Sequence, residues 1–311
     1  MKAKKKIKII YAAGLHSGGG LFILNYLRKK IFNKEDIFFL DERLKLDKFY
    51  KNLNIIFVKD SFFSKFYSEL KIKLFYDKNK NNIIFLNGLP PFFKFKNYVI
   101  SYFQNANILT SKRFFSTDNL RSIKFRFFKK NVDKWVVFSR YAKKMLKKKI
   151  QKREITYQKI ILKNFRSKLK KKYDFIYPAS GEDHKNHENL IKAFIILSKN
   201  KIFPRLLLTL KKSEFTKLNI QYYKKKYKLK IINKPYQMRE KFMSNYSYSK
   251  ALIFPSYTET LGLPLLEAKS YGIAILASNR NFAKEYTKKN MLFEPDNPKD
   301  LAKKIINYYQ K

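Results

Sequence analysis

The chain predicts an α/β protein built from two doubly wound parallel-sheet (Rossmann-like) domains facing across a cleft. Three observations carry that prediction. Short apolar runs of buried-strand length alternate with segments of helical periodicity, a glycine-rich turn follows the first run, and the alternation starts afresh after a lysine-rich break at residues 168–172. The 311 residues suffice for two domains of about 150 residues each. They are expected at 1–166 and 167–311, with the final helix able to pack back on the first domain.

The first unit reads as a strand at 7–12, a turn over 14–20 and a helix over 21–30 whose apolar residues recur at helical spacing. Runs at 37–40, 55–58, 83–86, 98–103 and 135–138 follow, each bounded by polar or turn residues, as buried parallel strands are. Pro90 and Pro91 forbid a helix between Leu89 and Phe93 and mark a loop at a strand end. In the second half, strands are expected at 173–178, 205–210, 228–232, 251–254 and 273–277. Helices are expected at 186–199, 238–249, 264–271 and 298–309. Open sheets of this kind bind ligands outside the carboxyl ends of their strands, and between two domains the cleft is the natural place.

Composition narrows the function. Lys and Arg number 70 against 23 Asp and Glu, a net charge of +47, yet 45% of residues are apolar and 17% aromatic, so the chain is a folded basic protein and not a disordered tail. The absence of cysteine excludes disulfides, thiolate metal sites and a cysteine nucleophile. Of three histidines, His184 and His187 lie close together and read as loop and helix-surface polar residues; no structural zinc is expected. The basic start of the chain leads into an apolar stretch too short for a signal peptide, and no run is long enough to span a bilayer. The expected location is the cytoplasm, with the inner face of the plasma membrane as a peripheral station. Residues 121–172 hold 21 Lys and Arg against Asp133 and Glu154, whereas 251–311 carry a net charge of only +3. Such charge suits nucleic acid, with Phe and Tyr interleaved over 121–140, although no helix-turn-helix, zinc-finger or RNA-recognition signature accompanies it. It also suits an anionic membrane, for which a helix over 141–150 offers five lysines around Met145, Leu146 and Ile150. Abundant Lys, Asn, Ile, Phe and Tyr are equally what an AT-rich coding sequence produces.

The most informative stretch runs from Phe254 to Ala268. A buried strand ends at Phe254, Glu259 stands in a polar loop, Gly262 permits an unusual backbone, and Pro264 occupies the first turn of a helix. The free N–H groups of that helix make an anion site suited to a diphosphate. Glu259 and Glu267 flank it, and carboxylates beside a phosphate repel it unless they bind something neutral, such as sugar hydroxyls. Read together, Pro255, Ser256, Glu259, Gly262, Pro264, Glu267, Ala268 and Gly272 resemble the signature of the retaining nucleotide-sugar glycosyltransferases of the GT4 type, which have the GT-B fold. Ala274 departs from the second proline of that pattern.

The resemblance implies a donor domain at 167–311 and an acceptor-side domain at 1–166. Glu259 would hold the donor sugar, the backbone around Leu263, Pro264 and Leu265 the phosphates, and Glu267 the ribose. The segment from Tyr177 to Asn186 resembles the family's donor phosphate loop, with Ser180 beside the donor and Lys185 neutralising the leaving diphosphate. Many relatives carry an arginine a few residues before that lysine, where this chain has small residues. Gly18 and Gly19, in the segment from His16 to Gly20, resemble the loop through which the backbone approaches the donor. His16 is open to donor, acceptor or a purely structural bond. Phe85 to Pro91 and Tyr102 to Asn105 resemble a bacterial surface-polysaccharide subgroup. Gln104 and Asn105 stand there where many relatives place a histidine, and amides cannot titrate. The implied reaction is metal-independent transfer of a sugar, with retention, from a nucleotide-diphosphate sugar to a glycan or lipid-linked glycan, without a cofactor.

Overall fold

The computed structural model describes residues 7–78, 81–109, 117–150, 153–165, 169–235 and 239–309. Arg166, Lys168 and Met238, at edges drawn from the sequence, lie outside these residues. The chain divides into two units, Met1–Ile160 and Ile161–Lys311.

The first unit contains β1 (Lys8–Ala12), α1 (Gly18–Ile31), β2 (Ile37–Asp41), β3 (Asn54–Val58), α2 (Phe62–Tyr76), β4 (Asn82–Phe85), β5 (Val99–Phe103), α3 (Thr117–Phe128), β6 (Lys134–Val137), α4 (Arg140–Lys147) and β7 (Glu154–Tyr157). Its seven strands form one parallel sheet in the order β3-β2-β1-β4-β5-β6-β7. The second unit contains β8 (Tyr173–Tyr177), α5 (His187–Lys199), β9 (Leu206–Leu208), α6 (Lys212–Lys217), α7 (Ile220–Lys226), β10 (Ile231–Asn233), α8 (Arg239–Ser247), β11 (Ser249–Phe254), α9 (Leu263–Ser270), β12 (Ala274–Ser278), β13 (Leu292–Phe293) and α10 (Pro298–Tyr309). Its six strands run parallel in the order β10-β9-β8-β11-β12-β13.

Both sheets start in the middle, grow to one side, then cross back and grow to the other. The reversal falls between β1 and β4 in one sheet and between β8 and β11 in the other, and it opens the crevice at the carboxyl ends of those strands. Helices cover both faces of such a sheet, so its central strands are apolar throughout instead of alternating. Ile9, Ile10, Tyr11 and Ala12 are all fully buried, as are Leu252, Ile253 and Phe254. The last helix, α10, packs on α5, and Tyr308 donates to the Lys250 carbonyl.

Several elements differ from the sequence expectation. α1 begins at Gly18 and not at residue 21, so the three glycines form its first turn after the Ser17 cap, with Gly18 at φ +55°. α2, α3, α6, α7, β7 and β13 are additional. In α2, apolar residues lie nearly all round the helix and blur its period; the readable signal was Ser61, whose hydroxyl accepts from the Ser64 amide as an N-cap. The short β7 is embedded in basic residues that hid it.

Two further expectations are corrected. Of the apolar residues expected on an outward face, Leu146 in α4 and Ile150 just after it are buried in the core of the first unit together with Ala142, because α4 packs against β6 and β7, and Met145 is half-buried. His187 is not a surface residue. It begins α5 on the inward side, is 3% exposed, and its ring lies 4.8 Å from that of Tyr177.

Candidate functional site

In the second unit, the loops that follow β8 and β11 meet at the point where the sheet reverses. Lys185 comes from the first loop and Glu259 from the second. Lys185 Nζ lies 2.5 Å from Glu259 Oε1, with the two side chains 17% and 15% exposed. The pair is shielded enough to matter electrostatically and open enough to exchange partners.

Buried polar contacts hold the two loops together. The Tyr177 hydroxyl donates to the Lys185 carbonyl at 2.7 Å and lies 3.0 Å from Ser256 Oγ. Burial pushes that phenol well above its ordinary pKa, so it stays a neutral donor. Asn186, in the left-handed region at φ 59°, sends its side-chain amide to the carbonyls of Pro255 and Pro295 at 3.1 and 2.8 Å. The Tyr257 amide donates to the His184 carbonyl at 2.8 Å, and Ser278 Oγ to the Ser256 carbonyl at 2.7 Å. Beneath them, burial pushes His187 down to about 4, an effect that Glu214 opposes and Lys185 assists. Neither ring nitrogen of His187 has a hydrogen-bond partner among the described residues.

The glycine before α9 shapes the rest of the site. Gly262 has φ +62°, a left-handed conformation that admits few other residues. Its carbonyl accepts from the Leu265 amide at 2.9 Å and the Leu266 amide at 3.4 Å, and Pro264 has no N–H. Among the described residues the Leu263 amide therefore remains as the open donor of the first turn, at the positive end of the helix dipole. Leu265 is fully buried, and its amide is spent on the Gly262 carbonyl. Glu267 is 5% exposed and accepts from the Tyr246 hydroxyl at 2.6 Å. Ser180 is exposed and donates to Glu182 at 3.0 Å. Tyr246 was not singled out from the sequence, and Tyr177, Asn186 and Ser256 entered only as members of the two matching segments, without a role. Only the placement of Asn186 directly after Lys185, at a helix start, hinted at a role.

His16, Gly18, Gly19, Gln104 and Asn105 belong to the first unit, at the carboxyl ends of β1 and β5. Here Asp41, fully buried at the end of β2, accepts from the Gly14 amide at 2.8 Å and from two nitrogens of Arg43. Burial alone would raise this carboxyl, but the bonds from Arg43 and Gly14 outweigh it and hold it at about 2. His16 Nδ1 lies 3.8 Å from Asp41 Oδ1, too long for a hydrogen bond. Gln104 Nε2 donates to the Leu86 carbonyl at 2.5 Å, so its amide supports the loop after β4. Among the described residues no group of three or more His, Asp or Glu side chains gathers as a metal site, and no helix is long and apolar enough to cross a membrane.

Comparison with known proteins follows the same division. Residues 158–311 match the family model of glycosyl transferases group 1. No curated protein sequence matches the chain. Among solved structures, sucrose-phosphate synthase from Thermosynechococcus elongatus is similar at 14% identity and a TM-score of 0.72, over 98% of this chain and 90% of that one. HepE of Anabaena, in complex with UDP and glucose, is similar at 12% identity and a TM-score of 0.69, over 98% and 90%. The lipopolysaccharide outer core galactosyltransferase WaaB is similar at 16% identity and a TM-score of 0.62, over 98% and 91%. The family-model match over residues 158–311 supports glycosyl transfer, and the solved structures show that the chain has the GT-B fold.

Proposed function

We propose that the protein is a retaining, metal-independent glycosyltransferase. It moves a sugar from a nucleotide-diphosphate sugar to a glycan or lipid-linked glycan in the synthesis of surface polysaccharide or lipopolysaccharide, on the cytoplasmic side of the membrane. The observation that carries this reading is the contact between Lys185 and Glu259 at the sheet reversal, beside the open amide end of α9. HepE, bound to UDP and glucose, and the galactosyltransferase WaaB support the substrate classes by analogy of fold.

In this reading the bond between the anomeric carbon and the diphosphate breaks with its electron pair going to the leaving group. The acceptor hydroxyl oxygen forms the new bond to that carbon, and the hydroxyl proton passes to the departing diphosphate oxygen. Lys185 and the Leu263 amide stabilise the negative charge that develops there. Glu259 accepts hydrogen bonds from the sugar hydroxyls and so orients the ring. Glu267 takes the ribose. His16, Gly18, Gly19, Gln104 and Asn105 serve the acceptor side or the donor's far end.

A thermal-shift screen of nucleoside diphosphates and their sugars identifies the donor, after which transfer is assayed directly. Lys185→Ala and Glu259→Ala are each expected to lower transfer about 100-fold or more. Transfer at parental rates by both purified variants would refute the assignment.

A further inference from the structure

The first unit exposes an aromatic face that its own core does not use. Along α2, Phe63, Tyr67 and Leu74 are 81%, 69% and 66% exposed, and they recur at helical spacing on one side. Along α3, Leu120 and Phe127 are 71% and 76% exposed and share a side with Ile123. A chain of rings joins the two helices. Phe62 and Phe66 each pack on Phe92, with centroids 5.7 and 5.4 Å apart, and Phe92 packs on Phe128 at 5.4 Å. Lys124 crosses the same seam, 3.4 Å above the Phe92 ring and 2.8 Å from the buried Glu69.

Charge decides what such a face fits. Among the described side chains of α2, α3 and the loops beside them, the carboxylates are engaged: Glu69 with Lys124, Asp60 with Arg43 and Lys65, and Asp77 with Lys73; the sequence adds Asp118 at the start of α3. Lys71 and Arg126 lie on the two helices beside the apolar residues, and Lys78 and Lys130 lie two residues past the C-terminal ends of α2 and α3. Large aromatic side chains bordered by unneutralised cations match the headgroup boundary of an anionic bilayer, where rings enter the interface and lysines meet lipid charge. A protein partner with a charged rim would leave the rings unmatched, and nucleic acid would leave the aliphatic side chains in water. We propose that the outer face of α2 and α3 seats the protein on an anionic lipid surface. The seat is not α4, whose apolar residues are spent on the core.

The test is co-sedimentation of the full chain with vesicles of phosphatidylcholine alone or mixed with phosphatidylglycerol. It requires no catalysis, so it stands or falls separately from the proposed transfer reaction. The parent is expected to pellet with the mixed vesicles only. Phe63→Ser combined with Phe127→Ser keeps every charge and alters only exposed positions, so folding is preserved, which thermal melting verifies. This double variant is expected to lose at least about tenfold in vesicle partitioning. Equal pelleting of parent and variant, or equal pelleting with neutral vesicles, overturns the proposal. So does an aromatic-dependent dimer on size exclusion without vesicle binding, which would assign the face to a second copy.

Discussion

Lys185 and Glu259 are 74 residues apart in the chain and in direct contact through Nζ and Oε1, at 2.5 Å. In the proposed reading each occupies the position that the other's substrate group would take, and donor binding would exchange this pair for a lysine–phosphate and a glutamate–hydroxyl contact.

Glu259→Gln separates the two contacts. The amide no longer neutralises Lys185, so a nucleoside diphosphate without its sugar is expected to bind about fivefold tighter, while transfer falls about 100-fold. Isothermal titration with the diphosphate, alongside the transfer assay, checks both halves. Weaker diphosphate binding would mean that the lysine does not face the phosphates.

Gly262→Ala tests the start of α9. A β-carbon there would sit 2.8 Å from Leu265 Cδ1, and Leu265 is fully buried and has little room to move. With the positive φ of 62° added, we expect a loss of about 2 kcal/mol in urea unfolding and weaker diphosphate binding. Unchanged values on both measurements would show that the turn relaxes without cost.

Asn186 is expected to matter for stability more than its size suggests. Asn186→Ala removes the donor for two carbonyls in buried surroundings and places a β-branchless but non-glycine residue in the left-handed region, for a loss of about 3 kcal/mol. Asn186→Gly restores the conformation but not the bonds, and recovers about 1 kcal/mol of that loss. Urea unfolding of the two variants separates backbone strain from hydrogen bonding.

His187 predicts an acid sensitivity. Its ordinary value of 6.5 falls to about 4 in the folded protein because burial disfavours the cation. Between these values the unfolded chain binds a proton that the folded chain does not, so stability is retained above pH 6.5 and lost as the pH falls toward 4. The loss attributable to this side chain approaches about 3 kcal/mol at the lower end. His187→Leu should flatten that part of the unfolding curve, leaving only the slope that carboxylates contribute. Parallel slopes for parent and variant would contradict a buried neutral imidazole.

The family signature was legible because it is local. Glu259, Gly262, Pro264 and Glu267 fall within one strand-loop-helix unit, where residue type and spacing alone determine the turn and the helix start. Lys185 was legible for the same reason, by its place after a strand. The helix α2 was not, since Phe63, Tyr67 and Leu74 put apolar residues on its solvent side and removed the contrast on which periodicity depends. The lysines of α4 drew attention to a surface, whereas Leu146 and Ile150 beside them turned inward.

From its sequence alone, this chain determines two βα-alternating halves, the strand ends at which chemistry can gather, and the residue types offered there. Each depends on contacts within a few residues, which periodicity, glycine and proline report directly. Tertiary structure decided which of those residues meet. Strand order brought β8 beside β11 and so set Lys185 against Glu259, buried His187 against Tyr177, and left the aromatic residues of α2 and α3 uncovered. Pairing and burial are settled by long-range packing, and the same lysine or phenylalanine is compatible with either outcome until its neighbours are in place.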